Sequence, residues 1–287
     1  MELTRQEFED LRQYIHKLCG LYIQEEKQYL ILQRLEGLVQ ASGCASYGEF
    51  HRMLTQAPRP GMSEQIVAAI TTNETSFFRD AHPFQTFKSH ILPALAEGLK
   101  RQRDTAAANV KPRVHIWSAA ASTGQEAYSL AMLVYEFLAY YRFFGITEED
   151  FSILATDISS DVLARAAAGT YNEVEISRGL SATQRDKYFT QQGKTWAIRE
   201  DIRKMVLFRK MNLASQIGMT PSFDVIFCRN VLIYFDDQTK KRIVDQLFTK
   251  LKPNGYLVLG SAENLYTMTE KFASVLVGET ILYQRMA

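Results

Sequence analysis

The first part of the chain places apolar residues at helical spacing and contains no alternating strand pattern. Thr4 stands three residues before Glu7, a spacing typical of a capping box at a helix start. The apolar face of this first helix is predicted to comprise Phe8, Leu11, Ile15 and Leu18. Further helices are predicted over residues 25–40, 46–56 and 63–71. In the second helix of the chain, the residues expected in the core are Leu30, Leu32, Leu35 and Leu38. We therefore expect an all-α domain over residues 1–72, followed by a linker and helix over 73–110.

Beyond residue 110, short apolar runs alternate with segments of helix length. The runs are VHIWSA, FSILATD, MVLFRKMN, FDVIFCRN and GYLVLGS. Continuous apolar runs of this length are typical of parallel strands that are covered by helices on both faces. The alternation predicts a doubly wound α/β sheet over residues 111–287. Such sheets bind ligands beyond the carboxyl ends of their strands, so the residues that end each run are the first candidates for a functional site.

Two segments depart from this alternation. Residues 170–204 are longer and more polar than one crossover requires, which indicates a small inserted β-subdomain. Its tail, GKTWAIREDIRKMVLF, is predicted to form a hairpin that runs into the third strand. The C-terminal sequence ASVLVGETILYQR predicts an antiparallel pair around Gly278 and Glu279 that closes the edge of the sheet.

Composition and charge narrow the class of protein. The 287 residues are 46% hydrophobic and 23% charged, which is typical of a soluble globular protein. Lys and Arg number 33 against 32 Asp and Glu, so the net charge of +1 gives no overall field that favours nucleic acid. The three scattered cysteines form neither a disulfide framework nor a zinc pair. Because the chain shows no signal-peptide core and no run of about 20 apolar residues, we expect a cytoplasmic protein.

Two strand ends carry a pattern suited to a nucleoside. The first run is followed by small residues from Ala119 to Gly124 and then at once by a helix, so backbone amides can approach a ligand. This turn lacks the GxGxxG spacing of a pyrophosphate site, and tight packing alone is an alternative explanation. Asp157 ends the second run, where a carboxylate can accept hydrogen bonds from ribose hydroxyls. Its alternative role is a helix N-cap, which Ser159 or Ser160 can take instead. Together these features favour a nucleoside without phosphate, of which S-adenosylmethionine is the common one.

The fourth run ends in Arg229 and Asn230 and is followed by an apolar group that contains Tyr234. Methyltransferases that act on adenine or on glutamine amides usually carry Asn/Asp-Pro-Pro-Tyr at this strand end. The motif is absent from this chain, which argues against a nucleobase or amide nitrogen as the methyl acceptor.

In five blocks the chain resembles the CheR family of chemoreceptor glutamate methyltransferases. The blocks are TTNETSFFRD (71–80), WSAAASTGQEAYSLAM (117–132), ATDIS (155–159), FDVIFCRNVLIYFD (223–236) and LKPNGYLVLGSAENL (251–265). They stand in the family's order and spacing, and the resemblance covers nearly all of the chain. It implies an all-α N-terminal domain and a class I methyltransferase-like catalytic domain with an inserted β-subdomain. The implied activity is methyl transfer from S-adenosylmethionine to glutamate carboxylates of chemoreceptors, which yields S-adenosylhomocysteine.

The resemblance also implies a set of site residues. The implied cofactor contacts are Asn73, Thr75, Arg79, Glu126, Asp157, Asn212, Leu213, Arg229 and Asn230. In this set Asp157 would take the ribose hydroxyls, and Asn212 with Leu213 would frame the adenine. Arg79 would pair with the methionine carboxylate in a bidentate fork, and Glu126 would face its ammonium group.

The reaction requires no general base, because an ionised glutamate is already a nucleophile. Catalysis is expected from holding donor and acceptor in near-attack geometry and from excluding water. Arg79 and Tyr234 are the predicted catalytic residues, near the transferring methyl group, where they orient the incoming carboxylate. The alternatives are a solvated linker arginine and a core tyrosine with a satisfied hydroxyl.

The chain departs from the family pattern in its first cofactor turn and in its receptor-binding segments. Gln125 and Ala127 replace residues of the usual STGEEPYS, while Glu126 is kept. Better-known members carry an arginine-rich second helix thought to meet acidic receptor helices, whereas LQRLEGLVQASG has Arg34 and little else basic. The remaining basic candidates are Arg12, Lys17, Lys27 and Arg34. The stretch YFTQQGKTWAIRED lacks additional glycine-rich residues, so we expect that no C-terminal receptor pentapeptide is needed as a tether.

The expected partner is the cytoplasmic signalling domain of chemoreceptors, with no nucleic acid, no direct membrane insertion and no metal. Two alternatives stay open. One is a carboxyl methyltransferase for another acceptor, and the other is a non-catalytic scaffold that binds cofactor and partner.

Overall fold

The structure is a computed structural model that describes residues 1–105, 111–141 and 145–286. Its first part contains four α-helices, which are α1 Arg5–Cys19, α2 Gln28–Ala41, α3 Tyr47–Gln56 and α4 Met62–Ile70. The predicted capping box is present, since the Glu7 amide donates to the Thr4 hydroxyl and the Thr4 amide donates to the Glu7 carboxylate. Helix α1 buries Phe8, Leu11 and Ile15 as predicted, whereas Leu18 is half-buried and Cys19 completes the buried face.

The second helix differs from its prediction in its start and in its buried face. A 3₁₀ turn covers Glu25–Lys27, and α2 begins at Gln28. The residues that α2 buries are Ile31, Leu35 and Val39. The expected core positions Leu30, Leu32 and Leu38 are only half-buried. Residues four apart lie on one face of a helix, so Ile31, Leu35 and Val39 form a single stripe. This stripe faces the core, and the leucines on either side of it lie at the edge of the buried face.

The segment predicted as a linker and helix is helical over much of its length. Helix α5 His82–Thr86 continues through a π-helical turn at Phe87–Ile91 into α6 Leu92–Thr105. Phe84 and Phe87 both pack against Phe227 of the sheet described next. Residues 106–110, the end of the predicted linker, lie outside the described residues.

A seven-stranded sheet forms the centre of the rest of the chain, and a smaller sheet accompanies it. In chain order the strands are β1 Val114–Ala119, β2 Phe151–Asp157, β3 Thr170–Asn172, β4 Phe189–Gln192, β5 Thr195–Ile198, β6 Val206–Lys210, β7 Phe223–Cys228, β8 Leu251–Leu259, β9 Phe272–Val277 and β10 Thr280–Arg285. The remaining α-helices are α7 Gln125–Tyr141, α8 Ser160–Ala168, α9 Glu173–Ser177, α10 Ala182–Tyr188, α11 Glu200–Arg203 and α12 Asp237–Lys250. All five predicted runs contain strands, and β1 and β2 coincide with theirs.

The large sheet has the doubly wound topology that the sequence predicts. Its strand order is β6-β2-β1-β7-β8-β10-β9. The first five strands in this order pair in parallel, and β10 is antiparallel to both of its neighbours. From β1 the chain builds outward through β2 to β6 and then returns to β7 beside β1. The strand order therefore reverses between β1 and β7, and apolar clusters cover the two faces of the sheet there.

The inserted segment and the C-terminus both form antiparallel structure. The insertion folds into a three-stranded sheet in the order β3-β5-β4. A hairpin is present as β4–β5 and turns at Gly193, but its first strand precedes the tail in which it was predicted. Helix α11 separates it from β6, so the expected run of the hairpin into the third strand is wrong. The C-terminal pair β9–β10 turns at Gly278 and Glu279 as predicted. Within the described residues we find no helix long and apolar enough to cross a membrane.

Candidate active site

A cleft opens beyond the carboxyl ends of β1, β2, β6 and β7, on the two sides of the reversal in strand order. It encloses about 1050 Å³ of space, open solvent at its mouth included. All of the residues proposed for the site line this cleft, namely Asn73, Thr75, Arg79, Glu126, Asp157, Asn212, Leu213, Arg229, Asn230 and Tyr234. The first three come from the segment after α4, and Glu126 lies in the first turn of α7. The others come from strand ends or the turns that follow them.

The turn after β1 has a backbone shaped for close approach. Ala120, Ser122 and Gly124 have positive φ angles of 60°, 50° and 93°. Residues with a side chain rarely adopt such angles, and they cluster where a ligand is held. At Gly124 an added Cβ would lie 3.0 Å from the Cβ of Ala166, so packing also restricts this position. The tight-packing explanation therefore accounts for Gly124, while Ala120 and Ser122 face the cleft.

Asp157 lies at the tip of β2 and is 7% exposed. Its carboxylate accepts the backbone amides of Ser122 at 2.9 Å and Ser159 at 3.0 Å. Burial raises the pKa of the Asp157 carboxyl, although these amides act in the opposite direction. Ser159 is the N-cap residue of α8, but its hydroxyl does not cap the helix, and the Ser160 hydroxyl donates to Glu64 instead. The expected side-chain cap is therefore wrong. The Asp157 carboxylate accepts the amide of the N-cap residue of α8, and it still has unused lone pairs that face the cleft.

Arg229 organises one wall of the cleft from beneath. Its side chain is 1% exposed and donates to the Glu126 carboxylate at 3.0 Å and the Asp80 carboxylate at 2.8 Å. It also donates to the backbone carbonyl of Arg79 at 2.8 Å. The other oxygen of Glu126 accepts the Ser118 hydroxyl at 2.7 Å. Both terminal nitrogens of this buried guanidinium are paired, while its Nε has no partner among the described residues. Arg229 therefore acts on the site by holding Glu126 and residues 79–80 in place. Asp80 and Ser118 both stand in the quoted sequence blocks, but neither was predicted to belong to this network.

Arg79 is the cation that remains available in the cleft. Its guanidinium donates to the backbone carbonyl of Glu74 at 3.1 Å, and no carboxylate within the described ranges pairs with it. The preceding residues anchor it, since Phe77 is fully buried and the amide of Phe78 donates to the Ser129 hydroxyl at 3.0 Å. Arg79 is half-buried and lines the cleft. Its free N–H groups suit a carboxylate ligand.

The end of α1 forms another wall, which the sequence did not predict. The side-chain amide of Asn212 donates to the carbonyl of Leu18 at 3.3 Å. Leu21 forms a single antiparallel bridge with Phe235, so the segment after α1 lies against the loop that follows β7. Gly20 permits this approach, because an added Cβ there would lie 2.4 Å from that of Ala214.

Tyr234 lies in the 3₁₀ turn Leu232–Tyr234, next to this contact. The amide of Tyr22 donates to its backbone carbonyl at 2.9 Å. Its side chain is half-buried in the cleft, and its hydroxyl forms no hydrogen bond with any residue the structure describes. The alternative of a core tyrosine with a satisfied hydroxyl is therefore wrong. The turn is followed by Asp236, the N-cap of α12, which lies 2.6 Å from Nε2 of His16.

The side chains of the cleft fit a zwitterionic nucleoside better than a phosphorylated one. Arg79 suits a carboxylate, Glu126 an ammonium group and Asp157 a pair of hydroxyls. No lysine is found among the described residues that line the cleft, and the turn after β1 lacks a phosphate-binding glycine pattern. A search of the described part of the chain finds no group of three or more His, Cys, Asp and Glu side chains arranged to hold a metal ion.

Fold and cleft together define a class I methyltransferase, in which S-adenosylmethionine binds where the strand order reverses. Two family models match the chain: "CheR methyltransferase, SAM binding domain" over residues 73–280 and "CheR methyltransferase, all-alpha domain" over residues 6–71. The chain belongs to the CheR methyltransferase family and is an S-adenosylmethionine-dependent methyltransferase. The resemblance stated from its five sequence blocks is thereby confirmed.

Curated relatives match over nearly their whole length. The "Chemotaxis protein methyltransferase Cher2" of Pseudomonas putida is 38% identical over 279 residues, which cover 97% of each chain. The "Chemotaxis protein methyltransferase 1" of Pseudomonas aeruginosa is 38% identical over 285 residues, 99% of each chain. The "Chemotaxis protein methyltransferase" of Vibrio parahaemolyticus is 36% identical over 283 residues, 98% of each chain.

Proposed function

We propose that this enzyme transfers the methyl group of S-adenosylmethionine to glutamate carboxylates in the cytoplasmic signalling domain of chemoreceptors. The observation that carries the proposal is the cleft, which brings Arg79, Glu126, Asp157 and Tyr234 together beyond the reversal in strand order. The names of the full-length relatives, all chemotaxis methyltransferases, favour a chemoreceptor as the acceptor. Since these carboxylates lie in a cytoplasmic domain, we place the enzyme's action in the cytoplasm.

The proposed role of each side chain follows from the hydrogen-bonding groups or apolar surface that its contacts within the protein leave free. Asp157 accepts the two ribose hydroxyls, and Glu126, held by Arg229, faces the ammonium group. Leu213, which is buried beside the cleft, offers an apolar surface to the adenine, with Asn212 at its edge. The other proposed cofactor contacts are Asn73, Thr75 and Asn230.

The reaction at the bound methyl group needs orientation more than acid–base chemistry. When bound, S-adenosylmethionine supplies an electrophilic methyl group on a sulfonium. The free guanidinium of Arg79 and the free hydroxyl of Tyr234 can both donate hydrogen bonds to an incoming carboxylate and hold it in line. No proton has to be removed, because the glutamate acceptor is ionised at neutral pH.

Receptor recognition through the second helix is weak in this chain. Arg34 is already used inside the protein, where its guanidinium donates to the carbonyl of Thr71 at 2.7 Å and the hydroxyl of Thr72 at 3.1 Å. Arg12 is half-buried and pairs with Glu9 at 2.6 Å. Of the four basic candidates only Lys17 and Lys27 are exposed and form no ion pair within the described residues. We therefore propose that few contacts to an acidic receptor helix come from this face.

We further propose that the enzyme works without a receptor tether. The hairpin β4–β5 is joined by the two residues Gly193 and Lys194 and has no additional loop. A pentapeptide from a receptor C-terminus is expected to show no binding by calorimetry up to high micromolar concentration. A low-micromolar affinity would contradict this part of the proposal.

The decisive experiment measures transfer of labelled methyl groups from S-adenosylmethionine to a purified receptor signalling fragment. We expect incorporation as a base-labile ester, and none when the methylated glutamates are replaced by alanine. Binding of S-adenosylhomocysteine without any incorporation would favour the cofactor-binding scaffold. Incorporation into another protein in its place would favour a different carboxylate acceptor.

A further inference from the structure

The first backbone amides of the loop that carries Asn230 all donate to one carboxylate, that of Glu263. Glu263 does not itself line the cleft. Glu263, which follows β8, accepts four backbone amides. One oxygen accepts from Asn230 at 2.7 Å and Gly260 at 2.8 Å. The other accepts from Val231 at 2.9 Å and Leu232 at 2.7 Å. Both carboxylate oxygens are thus filled by the backbone of two turns.

The backbone of this loop cannot pair these amides within itself. Asn230 has a φ of 57°, in the left-handed region, and Val231 follows with φ −127° and ψ −35°. In such a turn successive N–H groups point to one side and form a concave site for an anion. Four donors converging without an acceptor would leave the turn unsatisfied, and hydrogen bonds to a charged acceptor are stronger than those to a neutral one.

The contact between the two turns is too close to admit a side chain at Gly260. At Gly260 an added Cβ would lie 2.8 Å from the amide nitrogen of Asn230 and 2.8 Å from an oxygen of Glu263. Gly260 has an ordinary φ, so its lack of a side chain serves this approach and not its own backbone. Both sides of the contact are therefore built around the carboxylate.

The held loop carries two residues of the proposed site. Asn230 lines the cleft directly, and Tyr234 follows four residues later in the 3₁₀ turn. At its far end the loop is fixed by the bond from the Tyr22 amide to the Tyr234 carbonyl. Glu263 fixes the near end, so the position of the Tyr234 side chain depends on both anchors.

We propose that Glu263 is a positioning residue for methyl transfer, which sets the Asn230–Tyr234 loop without touching cofactor or acceptor. The inference rests on the proposed function and names a further residue of the same site. It predicts that loss of the carboxylate damages the chemical step more than cofactor binding. Arg79, Glu126 and Asp157 are held by other contacts and keep their places.

The test compares Glu263→Gln with Glu270→Gln. Glutamine keeps the volume of Glu263 but replaces one acceptor oxygen by an NH₂ group. This donor then faces two backbone N–H groups, which lose their acceptor. Glu270 is exposed and has no hydrogen bond or ion pair to any residue that the structure describes, so it is the matched control. We expect kcat for receptor methylation, measured well below Tm, to fall at least about tenfold in Glu263→Gln. The Kd for S-adenosylhomocysteine should rise less than about threefold, because Asn230 is the single proposed cofactor contact within this loop.

Amide hydrogen exchange gives a readout that does not depend on turnover. In the wild type the amides of Asn230, Val231, Leu232 and Gly260 should be protected, and in Glu263→Gln they should exchange at least about tenfold faster. Glu270→Gln should match the wild type in exchange and kcat. If Glu263→Gln does not fold, Gly260→Ala displaces the same carboxylate from the opposite side and should lower kcat in the same way.

The outcomes separate this inference from the proposed function. The proposed function is wrong if the wild type binds no S-adenosylhomocysteine or methylates no receptor, whatever the exchange data show. If the wild type is active, fast exchange of Val231 and Leu232 overturns the role of Glu263. An active wild type whose kcat survives both Glu263→Gln and Gly260→Ala overturns it as well.

Discussion

Replacing Asp157 by asparagine tests the centre of the proposed nucleoside site. The carboxylate accepts backbone amides of Ser122 and Ser159 and keeps one further lone pair on each oxygen for a ribose hydroxyl. Asparagine has a single acceptor oxygen, so it can satisfy only one amide and turns its NH₂ group toward the other. The ligand then loses one charge-assisted hydrogen bond and keeps a weakened second one.

The size of the effect follows from those two bonds. A hydrogen bond to a charged group contributes about 1.5–3 kcal/mol, so the combined loss should be about 2–4 kcal/mol. At about 1.4 kcal/mol per factor of ten, the Kd for S-adenosylhomocysteine should rise about 30- to 700-fold. Calorimetric titration of wild type and Asp157→Asn measures this directly. Asp161→Asn, four residues along and exposed, is the matched control and should leave the Kd unchanged.

The pH dependence of the same titration gives an independent check. Burial raises the pKa of the Asp157 carboxyl, and the ionised form is the one that accepts two ribose hydroxyls. Affinity in the wild type should therefore fall as the pH drops through the raised pKa, while Asp157→Asn should show no such dependence from this group. An equal Kd for wild type and Asp157→Asn at neutral pH would refute the assignment of the ribose to this carboxylate.

Three further predictions concern other parts of the site. Tyr234→Phe should lower kcat at least about tenfold with little change in the Kd for S-adenosylhomocysteine, since only the acceptor loses a hydrogen bond; an unchanged kcat in receptor methylation assays would exclude this role. Arg229→Met should lower the free energy of unfolding in urea by about 3–5 kcal/mol, because two carboxylates lose their buried partner. Arg178→Met, which removes a 62% exposed side chain, should cost less than about 0.5 kcal/mol, and equal losses would contradict the reasoning. Burial alone would raise the pKa of Asp236, but the amide of the helix start and His16 outweigh it and lower that pKa. Asp236→Ala should therefore destabilise the protein by about 1 kcal/mol at neutral pH. This difference in urea unfolding should shrink as the pH falls from the ordinary aspartate pKa through the lowered one, and a constant difference would contradict it.

The fold was largely predictable because buried parallel strands leave continuous apolar runs. The ends of β1 and β2 were found from Ala119 and Asp157, where the run meets a small or polar residue. Asp157, Asn212 and Asn230 line one cleft for the same reason, since strand ends meet at one edge of the sheet. Asn73, Thr75, Arg79 and Glu126 do not end a strand, and only the family resemblance predicted them. Their individual roles stay predictions, as does the division of the chain at residues 72 and 110.

The features that the sequence did not predict depend on contacts between distant residues. Glu263 stands 33 residues from Asn230, and nothing near it marks a carboxylate that receives four amides. Arg34 belongs by its pattern to an exposed basic face, yet its partners lie 35 to 38 residues away. In α2 two neighbouring stripes are both apolar, and only packing against α4 and α1 selects the one around Leu35. Contacts between residues far apart in the sequence leave no local periodicity, so sequence patterns do not predict them.

The contact between α1 and the loop after β7 has a consequence for the order in which the protein becomes active during synthesis. His16 and Asp236 are 220 positions apart, and the Leu21–Phe235 bridge joins the same two regions. A nascent chain therefore makes its N-terminal helices early, but the wall of the cleft that holds Tyr234 closes only once more than four-fifths of the 287 residues have left the ribosome. Glu263 lies later still. Chains terminated before that point lack this wall of the cleft, and we expect them to methylate no receptor.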